Sequence, residues 1–180
     1  AGAEILKTVP GLYKSSVEYA DSAIAQNLRD VARIHLADLG VKVFYVQHGG
    51  YDTHANEYSG HEKLMIDLNR SIKDFFADLE EHNATENVIM MIWSEFGRRV
   101  VDNGSGTDHG AGGGAFLIGD RVNGGLYSEY PSIEPNKTDN GDLAFQYDFR
   151  GFYSSVIDQW FHLDSASIVG GQFEQIPILN

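Results

Sequence analysis

Apolar positions recur every three or four residues at Val17, Ala20, Ile24, Leu28 and Val31, one stripe of an amphipathic helix predicted from about Ser16 to Leu39. Ser15 with Glu18 reads as a capping box ahead of it, and Gly40 stands where a C-terminal cap glycine belongs. Val41–Val46 is β-branched and aromatic, which predicts a strand. A polar, glycine-bearing loop follows, from His48 to Tyr58. The 3.6-residue period then returns in Leu64, Leu68, Ile72, Phe75 and Leu79, predicting a helix from about Gly60 to Glu81 behind a second capping box, Ser59 with Glu62. Val88–Trp93 is apolar on both faces, the pattern of a central strand in a parallel sheet covered by helices. Strand, helix and strand in this order predict a βαβ unit with a right-handed crossover.

Beyond Trp93 the pattern weakens. Asn103–Gly106 and Gly110–Gly114 are glycine-rich, Ala115–Ile118 is a short strand, and 120–147 reads as irregular, punctuated by Pro131, Pro135 and Asn140-Gly141. A last helix, about Asp148 to Phe161, carries an aromatic stripe that reads as core. The expected fold class is α/β, with a mostly parallel sheet flanked by helices. The whole chain, residues 1–180, reads as one domain. Three short strands and three helices do not cover both faces of such a sheet, so the chain is expected to belong to a larger domain or to pair with a second chain.

Charge narrows the partners. Thirteen basic against 26 acidic residues give a net charge of −13, a field that repels phosphate backbones and anionic membranes, so no nucleic-acid partner is expected. The longest apolar run falls far short of a membrane span, so no membrane insertion is expected. No basic segment followed by an apolar one opens the sequence, so no signal peptide is expected within it, a removed one being compatible with this. Without cysteine there is no thiolate ligand or nucleophile.

In a parallel sheet, sites form at the carboxyl ends of the strands. The first predicted strand runs into His48-Gly-Gly-Tyr-Asp52-Thr-His54 and the second into Ser94-Glu95-Phe-Gly-Arg98, with Gly106-Thr-Asp108-His109-Gly110 shortly after. On the predicted topology these clusters share one sheet edge. Carboxylates and imidazoles without thiolates suit Zn, Mn, Fe, Mg or Ca. Such an ion holds hydroxide near neutral pH or polarises an ester, and Arg98 matches two oxygens of a phosphate or sulfate. Each cluster also has a plain structural reading: Asp52-Thr-His54 as an Asx-turn, Glu95 with Arg98 as an ion pair, and Asn103–Gly106 as a turn. His48 fits a ligand, a substrate contact or a hydrogen-bond donor to a ligand. His35, His61, His82 and His162 sit within or at the ends of predicted helices and read as structural.

The motifs from His48 to Ala55, Ser94 to Arg98, Gly106 to Gly110 and Asp148-Phe-Arg150, in this order, resemble a bacterial family of unknown function, numbered fifteen-oh-one. The resemblance runs from about Tyr19 to Phe173. Members of that family usually carry a twin-arginine export signal and are grouped with the alkaline phosphatase and sulfatase superfamily. The resemblance therefore implies an alkaline-phosphatase-like sheet, a periplasmic or secreted location, and metal-dependent hydrolysis of an anionic phosphate or sulfate ester of a small molecule or saccharide. It implies Asp52, His54, Glu95 and His109 as ligands of a divalent Zn, Mn, Mg or Ca ion. Asp108 becomes a ligand or base, and Arg98 an anion clamp. Two features depart from the superfamily pattern. Phe96 stands where an imidazole ligand commonly follows the acidic residue, and nothing before His48 matches the Gly-Gly-x-Asp-Gly strand end that opens longer members. A missing N-terminal half or a second chain would supply the latter. The rival expectation is a non-catalytic extracytoplasmic binding or assembly module that keeps the fold and a structural ion.

Overall fold

The computed structural model describes residues 13–179, a mixed α/β chain that divides into two compact units at the Asn87–Val88 bond. In the first unit, helix α1 (Ala23–Leu36) packs against helix α2 (Glu57–Glu81), and a single 3₁₀ turn (Thr85–Asn87) follows. The second unit contains strands β1 (Met90–Ile92), β2 (Gly97–Asp102), β3 (Thr107–Gly110) and β4 (Phe116–Ile118), a 3₁₀ turn (Pro135–Lys137), and helices α3 (Phe149–Gln159) and α4 (Ser165–Val169).

Helix α1 begins later than its apolar period suggests. Its cap is Ser22, whose hydroxyl accepts from the Ala25 amide at 3.4 Å. Ser15 instead accepts from the Val17 amide at 3.1 Å and faces Glu81, so the expected Ser15–Glu18 box does not form. The helix ends at Ala37, ahead of left-handed Asp38 and Gly40. Helix α2 starts three residues before its predicted onset, behind left-handed Asn56, which places Ser59 and Glu62 inside the helix. Between these helices lies a core of Ile24, Ala25, Leu28 and Ala32 against Phe75 and Leu79. Complete burial of a side chain such as Leu79 contributes about 1.5–3 kcal/mol. Ala25, Ala32 and Ser71 are small and fully buried, which lets the two backbones approach closely.

The strands correct the expected sheet. Val41–Val46 keeps an alternating burial, with Phe44 and Val46 half-buried and Val43 and Tyr45 about two-thirds exposed, yet it joins no ladder among the described residues. Its β-branched composition records fitness for a pleated, half-covered surface and supplies no pairing partner. β1 pairs antiparallel with β4 (Met90 opposite Ile118, Ile92 opposite Phe116), and β2 pairs antiparallel with β3. The described residues therefore form two small antiparallel sheets in place of the expected βαβ unit, and β1 is half-buried along its length. A short nested excursion, β1 out and β4 back around the β2–β3 hairpin, closes ladders between neighbouring segments without a long crossover.

The hairpin turn is built by its polar residues. Asp102 Oδ1 accepts from the Gly104 amide, and Asn103 Oδ1 accepts from the Ser105 and Gly106 amides at 3.0 and 2.9 Å. Gly104 adopts φ +100°, which a side chain would resist. Gly97 and Gly110 face each other across the ladder because neither has room for a Cβ. One on Gly97 would overlap the Gly112 carbonyl, and one on Gly110 would lie 2.7 Å from the Arg98 carbonyl carbon.

Helix α3 begins as predicted, with Asp148 as its cap, accepting from the Arg150 amide at 2.8 Å. Its buried face is Gly151, Ser154 and Ser155, whereas Phe149 is 68% exposed, so the aromatic stripe is not the core. The small face receives the C-terminal segment. Ser155 Oγ accepts from the Ile176 amide at 2.8 Å, and Gln159 donates to the Ile176 carbonyl and accepts from the Ile178 amide. A side chain on Gly151 would overlap the Glu174 carbonyl.

Candidate functional site

In the first unit, the loop from His48 to His54 lies ahead of α2 and is held by that helix. His48 Nδ1 is 2.9 Å from the Tyr51 hydroxyl, and its Nε2 is 3.5 Å from Asp67 Oδ2. Asp67 also accepts from the Ser22 hydroxyl at 2.6 Å, so one carboxylate ties the cap of α1 to the loop. Burial, and then the charge of Asp67, raise the Tyr51 hydroxyl above its ordinary pKa and keep it a neutral donor. Thr53 Oγ1 lies 2.9 Å from His61 Nε2 on α2. Between these anchors Asp52 and His54 project outward. Asp52 Oδ1 is 3.2 Å from His54 Nε2, and the two side chains are 65% and 51% exposed. Two anchored residues, His48 and Thr53, thus bracket or interleave with two presented ones.

In the second unit, the other sequence clusters become a single hairpin. Arg98 on β2 stands opposite His109 on β3, so the motifs Ser94–Arg98 and Gly106–Gly110 meet as cross-strand partners. The His109 ring lies flat on Phe96, with centroids 3.6 Å apart and planes inclined by 8°. The Arg98 guanidinium sits 5.4 Å from the centre of the same ring and donates to the Thr107 carbonyl at 3.0 Å. Phe96 is therefore a platform for an imidazole. Asp108 and His109 are consecutive strand residues, so their side chains leave opposite faces. Asp108 accepts from the Asn103 side chain at 3.0 Å, and Glu95 is exposed in the link between β1 and β2.

The expectation that all three clusters sit at the carboxyl ends of parallel strands fails, because no parallel pair exists among the described residues. Within the first unit the structure pairs Asp52 with His54, and within the second it sets Arg98, His109 and Phe96 together. Sequence reading passed over Tyr51, Thr53 and Asp67, which fix the first loop together with His61, read from the sequence as structural. Their signal was present, since His61 and Asp67 are polar residues about one and three turns into a helix directly after the motif.

Arg150 and Asp148, of the fourth motif, form a local pair. Two contacts from the Arg150 side chain and one from its amide hold the Asp148 carboxyl down to about 2. Arg150 also lies 4.1 Å over the Phe173 ring. This motif caps α3 and brings no further candidate ligand.

No helix among the described residues is long and apolar enough to cross a membrane. No curated protein and no solved structure matches the chain. A family described as "Protein of unknown function (DUF1501)" matches residues 15–168, from the segment before α1 into α4. By that match, which spans most of its length and all four motifs, the chain belongs to the DUF1501 family.

Proposed function

We propose that the protein is a metal-dependent hydrolase of phosphate or sulfate esters, in which Asp52, His54, Glu95 and His109 ligate a divalent cation. The observation that carries the reading is the exposed Asp52–His54 pair, a carboxylate oxygen and an imidazole nitrogen 3.2 Å apart on an anchored loop. That donor set fits Zn, Mn, Mg or Ca and lacks the thiolates of a soft-metal site. When bound, such an ion polarises the ester and lowers the pKa of a coordinated water. Arg98 contributes a planar guanidinium that matches two anionic oxygens, which matters in a chain of net charge −13. His48, packed between Tyr51 and Asp67, positions the loop beside the ester. Asp108, read from the sequence as a ligand or base, leaves the opposite face of β3 from His109 and accepts from Asn103, so its part is to hold the hairpin turn. The reading includes a periplasmic or secreted location and an alkaline-phosphatase-like sheet, completed by a further half or a second chain, in which Val41–Val46 would take a strand position.

A specific observation supports the second reading, a non-catalytic extracytoplasmic binding or assembly module. His109 is stacked flat on Phe96, and Arg98 is engaged with the Thr107 carbonyl, an arrangement that also serves simply to rigidify the hairpin.

Elemental analysis of the natively purified protein separates the two. A stoichiometric divalent ion that survives dialysis, and is lost in both Asp52→Ala and His109→Ala, is expected, together with turnover of an aryl phosphate or aryl sulfate. Unchanged ion content in both variants would sink the ligand assignment. A retained ion without turnover favours the binding module.

A further inference from the structure

Far from the loop motifs, residues 13–19 lie across the C-terminal end of α2, held by three side chains of its last turn and cap. Asp78 is wholly buried, and its Oδ2 accepts from the hydroxyls of Tyr13 and of Tyr19, the latter at 2.8 Å. Glu81 accepts from the Ser16 amide at 3.0 Å, from the Ser16 hydroxyl at 3.0 Å and from the Ser15 hydroxyl at 3.2 Å. His82 closes the clasp. Its Nδ1 is 2.7 Å from the Asp78 carbonyl and 3.4 Å from Asp78 Oδ1, and its Nε2 is 2.9 Å from the Lys14 carbonyl.

These three oxygens only accept hydrogen bonds. A neutral imidazole has one N–H, so it would leave one ring nitrogen set lone pair against lone pair with a carbonyl. Only the doubly protonated ring satisfies both contacts. We infer that His82 is held as an imidazolium and that its second proton latches the Lys14 carbonyl to α2, making residues 13–19 a strap that loosens at Lys14 as the pH rises.

The groups facing the ring support this. On its own helix these are Asp78 and Glu81, both carboxylates. From the strap they are the Lys14 carbonyl and the Tyr13 ring, stacked with centroids 6.1 Å apart. From α1, Arg33 lies 5.1 Å over the far side of Tyr13. Burial and the adjacent Asp78 push the Tyr13 hydroxyl up to about 12, and the Tyr19 hydroxyl is raised further by the same causes, so both remain neutral donors while His82 titrates. Hydrogen bonds to the Asp78 and Lys14 carbonyls raise His82 against a smaller opposing effect of burial. A raised value in the folded state means that the latch is complete below the ordinary value of about 6.5 and is lost as pH climbs through the folded value. The neutral ring keeps its Nδ1 proton on the closer Asp78 carbonyl, so the contact that breaks is the one to Lys14.

The test is nitrogen NMR of the full chain between about pH 5 and 9, following the His82 ring nitrogens and amide exchange at Ser16 and Val17. Both ring nitrogens should be protonated at the acid end, with a midpoint above about 6.5. Exchange at Ser16 should accelerate through that midpoint by roughly tenfold beyond the intrinsic rise with pH, the signature of local opening. In His82→Gln the step should vanish. A midpoint at or below the ordinary value, protection at Ser16 that ignores the titration, or a step that persists in His82→Gln would each overturn the inference. If that variant does not fold, the titration of the wild-type ring decides alone.

Discussion

Ser154 and Ser155 are neighbours on α3, both wholly buried, and they should respond oppositely to the same substitution. Ser155 Oγ donates to the Gly151 carbonyl and accepts from the Ile176 amide, each at 2.8 Å. In Ser155→Ala the Gly151 carbonyl keeps its helical partner, but the amide of Ile176, a residue only 8% exposed, loses its acceptor. A buried donor left unpaired costs about 1–3 kcal/mol, so about 2 kcal/mol is expected from this one oxygen. Ser154 Oγ has no hydrogen-bond partner among the described residues. In Ser154→Ala a hydroxyl already desolvated without compensation disappears, and the outcome should run from neutral to a gain of about 1 kcal/mol. Urea unfolding followed by tryptophan fluorescence measures both, since Trp93 and Trp160 lie in the same unit as the two serines. A loss below about 0.5 kcal/mol in Ser155→Ala, or a loss above about 1 kcal/mol in Ser154→Ala, would refute the hydrogen-bond argument.

Gly97→Ala should disrupt the β2–β3 hairpin, because the added Cβ overlaps the Gly112 carbonyl. We expect about 1–3 kcal/mol of destabilisation, with loss of the Arg98–His109 pairing in NMR cross-strand contacts; an unchanged unfolding midpoint would contradict this. Acid should unwind the start of α3 late. The Arg150 contacts hold the Asp148 carboxyl down to about 2, so its capping contribution is complete above the ordinary carboxylate range near 4 and is lost only as pH falls toward 2. Amide exchange at Arg150 between about pH 5 and 2 checks this, and loss of protection already at about pH 4 would contradict it.

The sequence by itself carried what depends on neighbours along the chain. The apolar periods of α1 and α2 placed both helices, Asp148 marked the start of α3, and Asn103–Gly106 marked a turn, because caps, periods and turns are settled by a few adjacent residues. Even here, which serine caps α1 was decided from a distance, since Glu81 and Asp78 draw residues 13–19 onto α2 and leave Ser22 to begin the helix. Residue types also disclosed the candidate donors Asp52, His54 and His109, but not which of them share a surface. Strand pairing belongs to the tertiary structure. Val41–Val46 and Val88–Trp93 both read as strands, yet only the second finds a partner among the described residues, through Met90–Ile92, and that partner, β4, runs antiparallel. Likewise, the pattern of Asp108-His109 gave two adjacent donors, and only membership of β3 sends them to opposite faces while the ladder sets His109 opposite Arg98. A strand's partner, direction and register depend on hydrogen bonds to residues remote in sequence, and no local period encodes them.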